Sequence, residues 1–193
     1  MATDTTKTAE GESIEWENRT TCPDSLLVPI FRHCADCVGV DLAPCESYPD
    51  RLRVKVTRGR ARNGRISGLA SAWSNHGPFE CKVVLPRACG WDVLDLVREF
   101  WRVAIHEMAH ILDYQNRARG YKVDFNSYSS PYSMRRIRHD DRPQEKRADD
   151  TVKRVEAQIS AGALPSCESA LVDLAVWLES EKLDRPLNRT IVA

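Results

Sequence analysis

The first clear periodicity along the chain follows Pro23 and Asp24, where Leu26, Leu27, Ile30 and Phe31 recur at three- and four-residue intervals and predict a helix lying on a core. Turn formers dominate from Pro44 to Asp50. Leu52, Val54 and Val56 then alternate with Arg51, Arg53 and Lys55, the period of a strand with one face covered. Asn63-Gly64 is a hairpin signal. Further strands are expected across Ile66 to Trp73 and through Cys81, Val83, Val84 and Leu85, the last ended by Pro86. Asp92 is a suitable N-cap for a long helix from Val93 to about Asn116, free of glycine and proline, whose apolar face (Val93, Leu94, Val97, Trp101, Ala104, Ile105, Met108, Leu112) is too broad for anything but burial. The Ser-, Tyr- and Asn-rich stretch from Gly120 to Asp140 is expected to be a functional or mobile loop. Asp141 as N-cap with Gln144 three residues on resembles a capping box, Pro143 suits a first turn, and the helix so opened runs to about Ser160, stopped by Gly162 and Pro165. Leu171, Leu174, Ala175 and Leu178 mark a final amphipathic helix.

Together these elements predict an α+β fold: a backing helix, a small mixed sheet of three or slightly more strands, a long central helix, a second polar-faced helix and a C-terminal helix. At 193 residues the chain fits one domain, expected over residues 21–185 between an acidic, mobile tail at 1–20 and a short C-terminal tail at 186–193. The 28 basic and 28 acidic side chains cancel, so net charge names no partner. No basic region followed by an apolar stretch opens the sequence, and even the most hydrophobic segment, Leu94 to Leu112, is broken by charge and histidine. A soluble cytoplasmic protein without membrane contact is expected. Seven cysteines, an odd number, then read as free thiols in a reducing compartment.

The long helix carries the chemistry. Within it, between Val103 and Leu112, stands His106-Glu107-Met108-Ala109-His110 on an otherwise uncharged, apolar background. Four residues turn a helix by roughly 400°, so the two imidazoles stand one turn apart on the same side and can point at one ion, while Glu107 projects beside it. Neutral imidazole is a good zinc ligand, and a carboxylate held next to the metal can take a proton from bound water and pass it to a leaving amine. Catalytic zinc sites use three protein ligands and keep one position open. Candidates for the third are His139, Asp140, Asp141, Glu145, Asp149 and Asp150. Glu145 is favoured because it falls in the first turn of the following helix with Asp149 on the same face, so that one carboxylate can bind metal and the other orient a ligand imidazole. The plainer expectation is a pair of surface carboxylates forming ion pairs with Lys146 or Lys153.

His106-Glu107-Met108-Ala109-His110 followed by Glu145-Lys146-Arg147-Ala148-Asp149 resembles the gluzincin zinc metallopeptidases in a compact form. That resemblance implies a zincin-like fold, one zinc ion per chain held by His106, His110 and Glu145, Glu107 as general base, and Asp149 hydrogen-bonded to a ligand histidine. It also implies an edge strand, drawn from those between Leu52 and Leu85, that binds an extended peptide or protein substrate. Arg142-Pro143-Gln144 stands where the large gluzincin subfamilies have an asparagine before the glutamate. Metzincins fit less well, because Asp113 to Arg119 lacks their glycine and third histidine. A tyrosine or histidine often stabilises the oxyanion in gluzincins, and Tyr128, Tyr132 and His139 are the candidates.

Two other signals carry less. Cys34-Ala35-Asp36-Cys37, with Cys22 and Cys45 nearby, falls short of a four-thiolate zinc site because no second Cys-x-x-Cys accompanies it, and cysteines on a core helix are the simpler expectation. Arginines at 51, 53, 58, 60, 62 and 65, joined by Arg135, Arg136 and Arg138, read as a solvated strand face and hairpin tip. They also supply the alternative function, a non-catalytic zinc-containing module that recognises a protein or nucleic acid through its Arg-rich strands.

Overall fold

The computed structural model of the chain describes residues 14–59, 66–72, 74, 76–86, 92–123 and 141–183. Along them run β1 (Glu15–Arg19), α1 (Asp24–Val38), β2 (Arg53–Gly59), β3 (Gly68–Ala72), β4 (Phe79–Pro86), α2 (Val93–Ala118), α3 (Pro143–Ser160) and α4 (Glu168–Leu183). The class is α+β, with four helices and a mixed four-stranded sheet among the described residues.

Apolar load decides the order of the strands. β4 buries Phe79, Cys81, Val83 and Leu85 and lies inside the sheet, parallel to β2, whose Val54 and Val56 are fully covered. β3, Gly-Leu-Ala-Ser-Ala, has little to bury and forms an edge, antiparallel to β4. The order is β1-β2-β4-β3. The hairpin expected at Asn63-Gly64 is therefore corrected: β2 and β3 are not neighbours, since β4 lies between them, and the dipeptide itself is outside the described residues.

A second correction concerns the tail expected to reach residue 20. Glu15–Arg19 is β1, an edge strand parallel to β2 and joined to it through α1. Its acidic residues are the outward half of a strand: Glu15 pairs with Arg53 and Glu17 with Lys55 across the solvent face. The inward half is held by Trp16, whose indole N–H donates to Asp24 Oδ1 at 2.8 Å and whose ring meets Phe31 edge-on.

α2 packs against α1, α3, α4, β3 and β4. It starts where expected, with the Asp92 carboxylate accepting from the Leu94 and Asp95 N–H groups. α3 ends as expected at Ser160, but its start is corrected. Proline disfavours helical backbone in the residue before it, so Arg142 takes the N-cap position in an extended conformation, Pro143 is the first helical residue, and no side chain caps the end. Leu171, Leu174 and Leu178 bury α4 as their spacing predicts. Among the described residues no helix is long and apolar enough to cross a membrane.

Candidate metal centre

α2 and α3 cross beside the outer edge of β3, which pairs with no further strand among the described residues, and are tied by the Arg147–Asp113 ion pair at 2.7 Å. The crossing sets Glu145 against the two histidines of α2. His106 Nε2 lies 3.1 Å from His110 Nε2 and 3.3 Å from Glu145 Oε2, and His110 Nε2 lies 3.4 Å from the same oxygen. An ion with ligand bonds of about 2.0–2.1 Å in a tetrahedral shell has ligand-to-ligand edges of about 3.3–3.4 Å. The three atoms thus form one face of such a shell, and the residues fit a divalent ion held by two nitrogens and an oxygen. No other group of three potential ligands gathers this way among the described residues. His110 and Glu145 are 9 % and 7 % exposed, so without an ion their polar atoms would face one another largely cut off from water.

The other face of His106 is also engaged. Its Nδ1 lies 3.0 Å from Asp149 Oδ1, one helical turn beyond Glu145. That contact favours a proton on Nδ1 and leaves the Nε2 lone pair aimed at the triad. Burial disfavours an imidazolium here, but the Glu145 hydrogen bond and the charges of Glu107, Asp149 and Glu145 outweigh it and hold the His106 pKa above its ordinary value. Protons and a metal ion therefore compete for the same nitrogen, and metal binding weakens as pH falls. Lys146 and Lys153 are not the partners of this pair; they reach Asp141 and Asp150.

Glu107 stands apart from the triad, 7 % exposed, against the backbone of β3. Burial pushes its carboxyl above the usual carboxylate range, opposed by His106, His110 and the Ala70 N–H, which donates to it. Contact with the strand depends on Gly68: a Cβ there would fall 2.8 Å from Glu107 Cδ and closer still to Cγ. Gly68→Ala should push Glu107 out of position, at a stability cost of about 1–3 kcal/mol for overpacking, while metal content stays at the parent level. A variant that retains the parent melting temperature would contradict this contact.

Comparison of the chain with family models, curated proteins and solved structures gives no match. What the centre does has to be inferred from its own chemistry.

Of the residues expected at the site, His106, Glu107, His110, Glu145 and Asp149 are brought together. Tyr128, Tyr132, His139 and Asp140 lie outside the described residues, as do the arginines at 60, 62, 65, 135, 136 and 138. Arg53 meets Glu15 and Glu80, and Arg58 meets Glu181 while stacking over Trp177, so two of the remaining arginines are already engaged within the domain. Three residues at the centre were not singled out from sequence. Gly68 and Ala70 signal themselves only as small residues in a strand, where a glycine marks close approach of another group. Tyr114 lines the cleft beside His110; its spacing, one turn beyond His110 on the same helix face, was a usable sign.

Four of the described cysteines behave as core residues. Cys22, Cys34, Cys37 and Cys81 are buried, and burial drives their thiol pKa values up, that of Cys22 to about 12. Cys45 is exposed; desolvation, the largest single effect, raises its thiol pKa, but its hydrogen bonds with Tyr48 and Ser47 together outweigh it and hold the thiol below its ordinary value. Iodoacetamide should label Cys45 faster than these four buried thiols by at least about tenfold, read by peptide mapping; equal rates would contradict the packing of the core around α1 and β4.

Proposed function

We propose that the chain is a zinc-dependent metallopeptidase of compact gluzincin type, with one zinc ion held by His106, His110 and Glu145 and with Glu107 as general base. The observation that carries this reading is a separate buried carboxylate beside the three donors, held by β3 and left out of the triad. A purely structural ion needs no such group. When bound, zinc would lower the pKa of a coordinated water to about 7 and polarise a peptide carbonyl.

The remaining work falls to side chains of the protein. Glu107 accepts a proton at its carboxylate from the attacking water and returns it to the leaving amine. Asp149 orients His106 through Nδ1. The outer edge of β3, apart from the Ala70 N–H that Glu107 already takes, would offer an extended peptide backbone hydrogen bonds beside the centre. Clefts open on both sides: one of about 520 Å3 with Ile66, Val103 and Val152 in its walls, and one of about 210 Å3 beyond His110.

The test is hydrolysis of quenched fluorescent peptide pools by purified protein loaded with zinc. Cleavage should disappear with 1,10-phenanthroline and return with added zinc. No cleavage of any pool, or cleavage indifferent to the chelator, would overturn the proposal.

A further inference from the structure

Resting on the peptidase reading, we infer that Arg142 selects the substrate by receiving a carboxylate of the bound peptide in the cleft beyond His110. Three features place there a cation that no carboxylate pairs with among the described residues.

The first is backbone direction. Arg142 precedes Pro143 and is held extended, at φ −71° and ψ 139°, and its side chain takes no part in capping α3. Arg142 is among the residues that line the cleft, together with Leu69 and Ala70 of β3, Glu107, His110 and Tyr114 of α2, and Glu145.

The second is the missing partner. Arg142 Nε is buried without a hydrogen-bond acceptor, and among the described residues no carboxylate pairs with the guanidinium. A covered, unpaired guanidine nitrogen is costly in a folded protein and calls for an explanation; a carboxylate that meets the outer nitrogens of the same guanidinium would offset its charge. Elsewhere around the centre the cations are spoken for: in the larger cleft Arg102 bonds Glu156 at 2.6 Å and Lys153 bonds Asp150 at 3.1 Å.

The third is chemical match. A guanidinium is a planar fork of donors suited to a carboxylate, and the amino-terminal turn of α3 adds partial positive charge on the same side. The cleft has a volume of about 210 Å3. Both an Asp or Glu side chain and the terminal carboxylate of a peptide supply the required group.

The experiment measures binding, so that it does not depend on turnover. Zinc-loaded Glu107→Gln protein is titrated into fluorescently labelled octapeptide pools, random in Gly, Ala, Leu and Phe and read by anisotropy. One amidated pool carries a central Glu and its twin a central Gln; a further pair has no polar residue and ends in a free acid or an amide. The charged member of at least one pair should bind about ten- to a hundredfold more tightly than its neutral twin. Preference for Glu identifies a side chain, and preference for the free acid identifies the chain end.

Arg142→Gln should abolish the preference without lowering zinc content, and Arg142→Lys should keep part of it. Equal affinities within both pairs for the parent would overturn the inference while leaving the peptidase reading intact. So would a preference that survives Arg142→Gln, since the carboxylate would then be answering to the metal. Failure of zinc-loaded protein to bind any pool would overturn the inference and the peptidase reading together.

Discussion

Glu107→Gln should abolish hydrolysis and leave the zinc in place. The amide matches the carboxyl in size, so the contact with Gly68 survives and His106, His110 and Glu145 are untouched. What is lost is the ability to take up a proton, and a positioned general base contributes about 10²–10⁴-fold to rate. kcat/KM should fall by that factor, with zinc stoichiometry and peptide affinity near the parent values. The same buried position that lifts the Glu107 pKa also keeps the uncharged amide from being penalised, so the variant should fold at least as stably as the parent. A variant that cleaves as well as the parent would remove Glu107 from the mechanism.

Glu145→Ala should produce the opposite pattern, a folded chain that no longer holds metal. Four-ligand zinc sites are worth about 10–16 kcal/mol, on the order of 3 kcal/mol per ligand, so losing one ligand of three weakens binding by about a hundred- to a thousandfold. Stability reports the same loss. Zinc at a hundred times its Kd stabilises the folded state by about 2.7 kcal/mol. In a domain of this size each kcal/mol moves Tm by about 2–4 °C. Chelation should therefore lower the parent's Tm by about 5–10 °C and leave that of Glu145→Ala unchanged. A variant that still shifts with chelator would show that the ion is held elsewhere.

Much of this centre was legible because its key spacing lies within one helix. His106 and His110 are four residues apart on an apolar background, and a continuous α-helix needs no tertiary information to bring them to one side. Glu145 was harder, being supplied by another helix, but Asp149 one turn later gave it a partner on the same face. Strand order was not legible, because Asn63-Gly64 reports only local turn preference. It says nothing of the competing claim of β4, whose buried Phe79, Cys81, Val83 and Leu85 put it inside the sheet. β1 was hidden by its own chemistry: Glu15 and Glu17 look like a solvated tail until Arg53 and Lys55 appear opposite them. Gly68 and Ala70 offer no functional group at all, and their part in holding Glu107 becomes visible only when α2 is seen against β3.

Arg142 lies between these cases. The sequence marked Arg142-Pro143-Gln144 as a departure from the large gluzincin pattern, and Pro143 explains why the arginine sits extended at the start of α3. That its guanidine nitrogen is buried without an acceptor beside His110 could come only from the packing of three elements around one cleft.

X-ray absorption at the zinc edge of the zinc-loaded protein tests the proposed centre most directly. One zinc per chain is expected, with a first shell of nitrogen and oxygen at about 2.0–2.1 Å, scattering from two imidazoles and no sulfur. Sulfur at about 2.3 Å would move the ion to the cysteines, and failure to bind zinc at all would leave His106, His110 and Glu145 without the role given to them here.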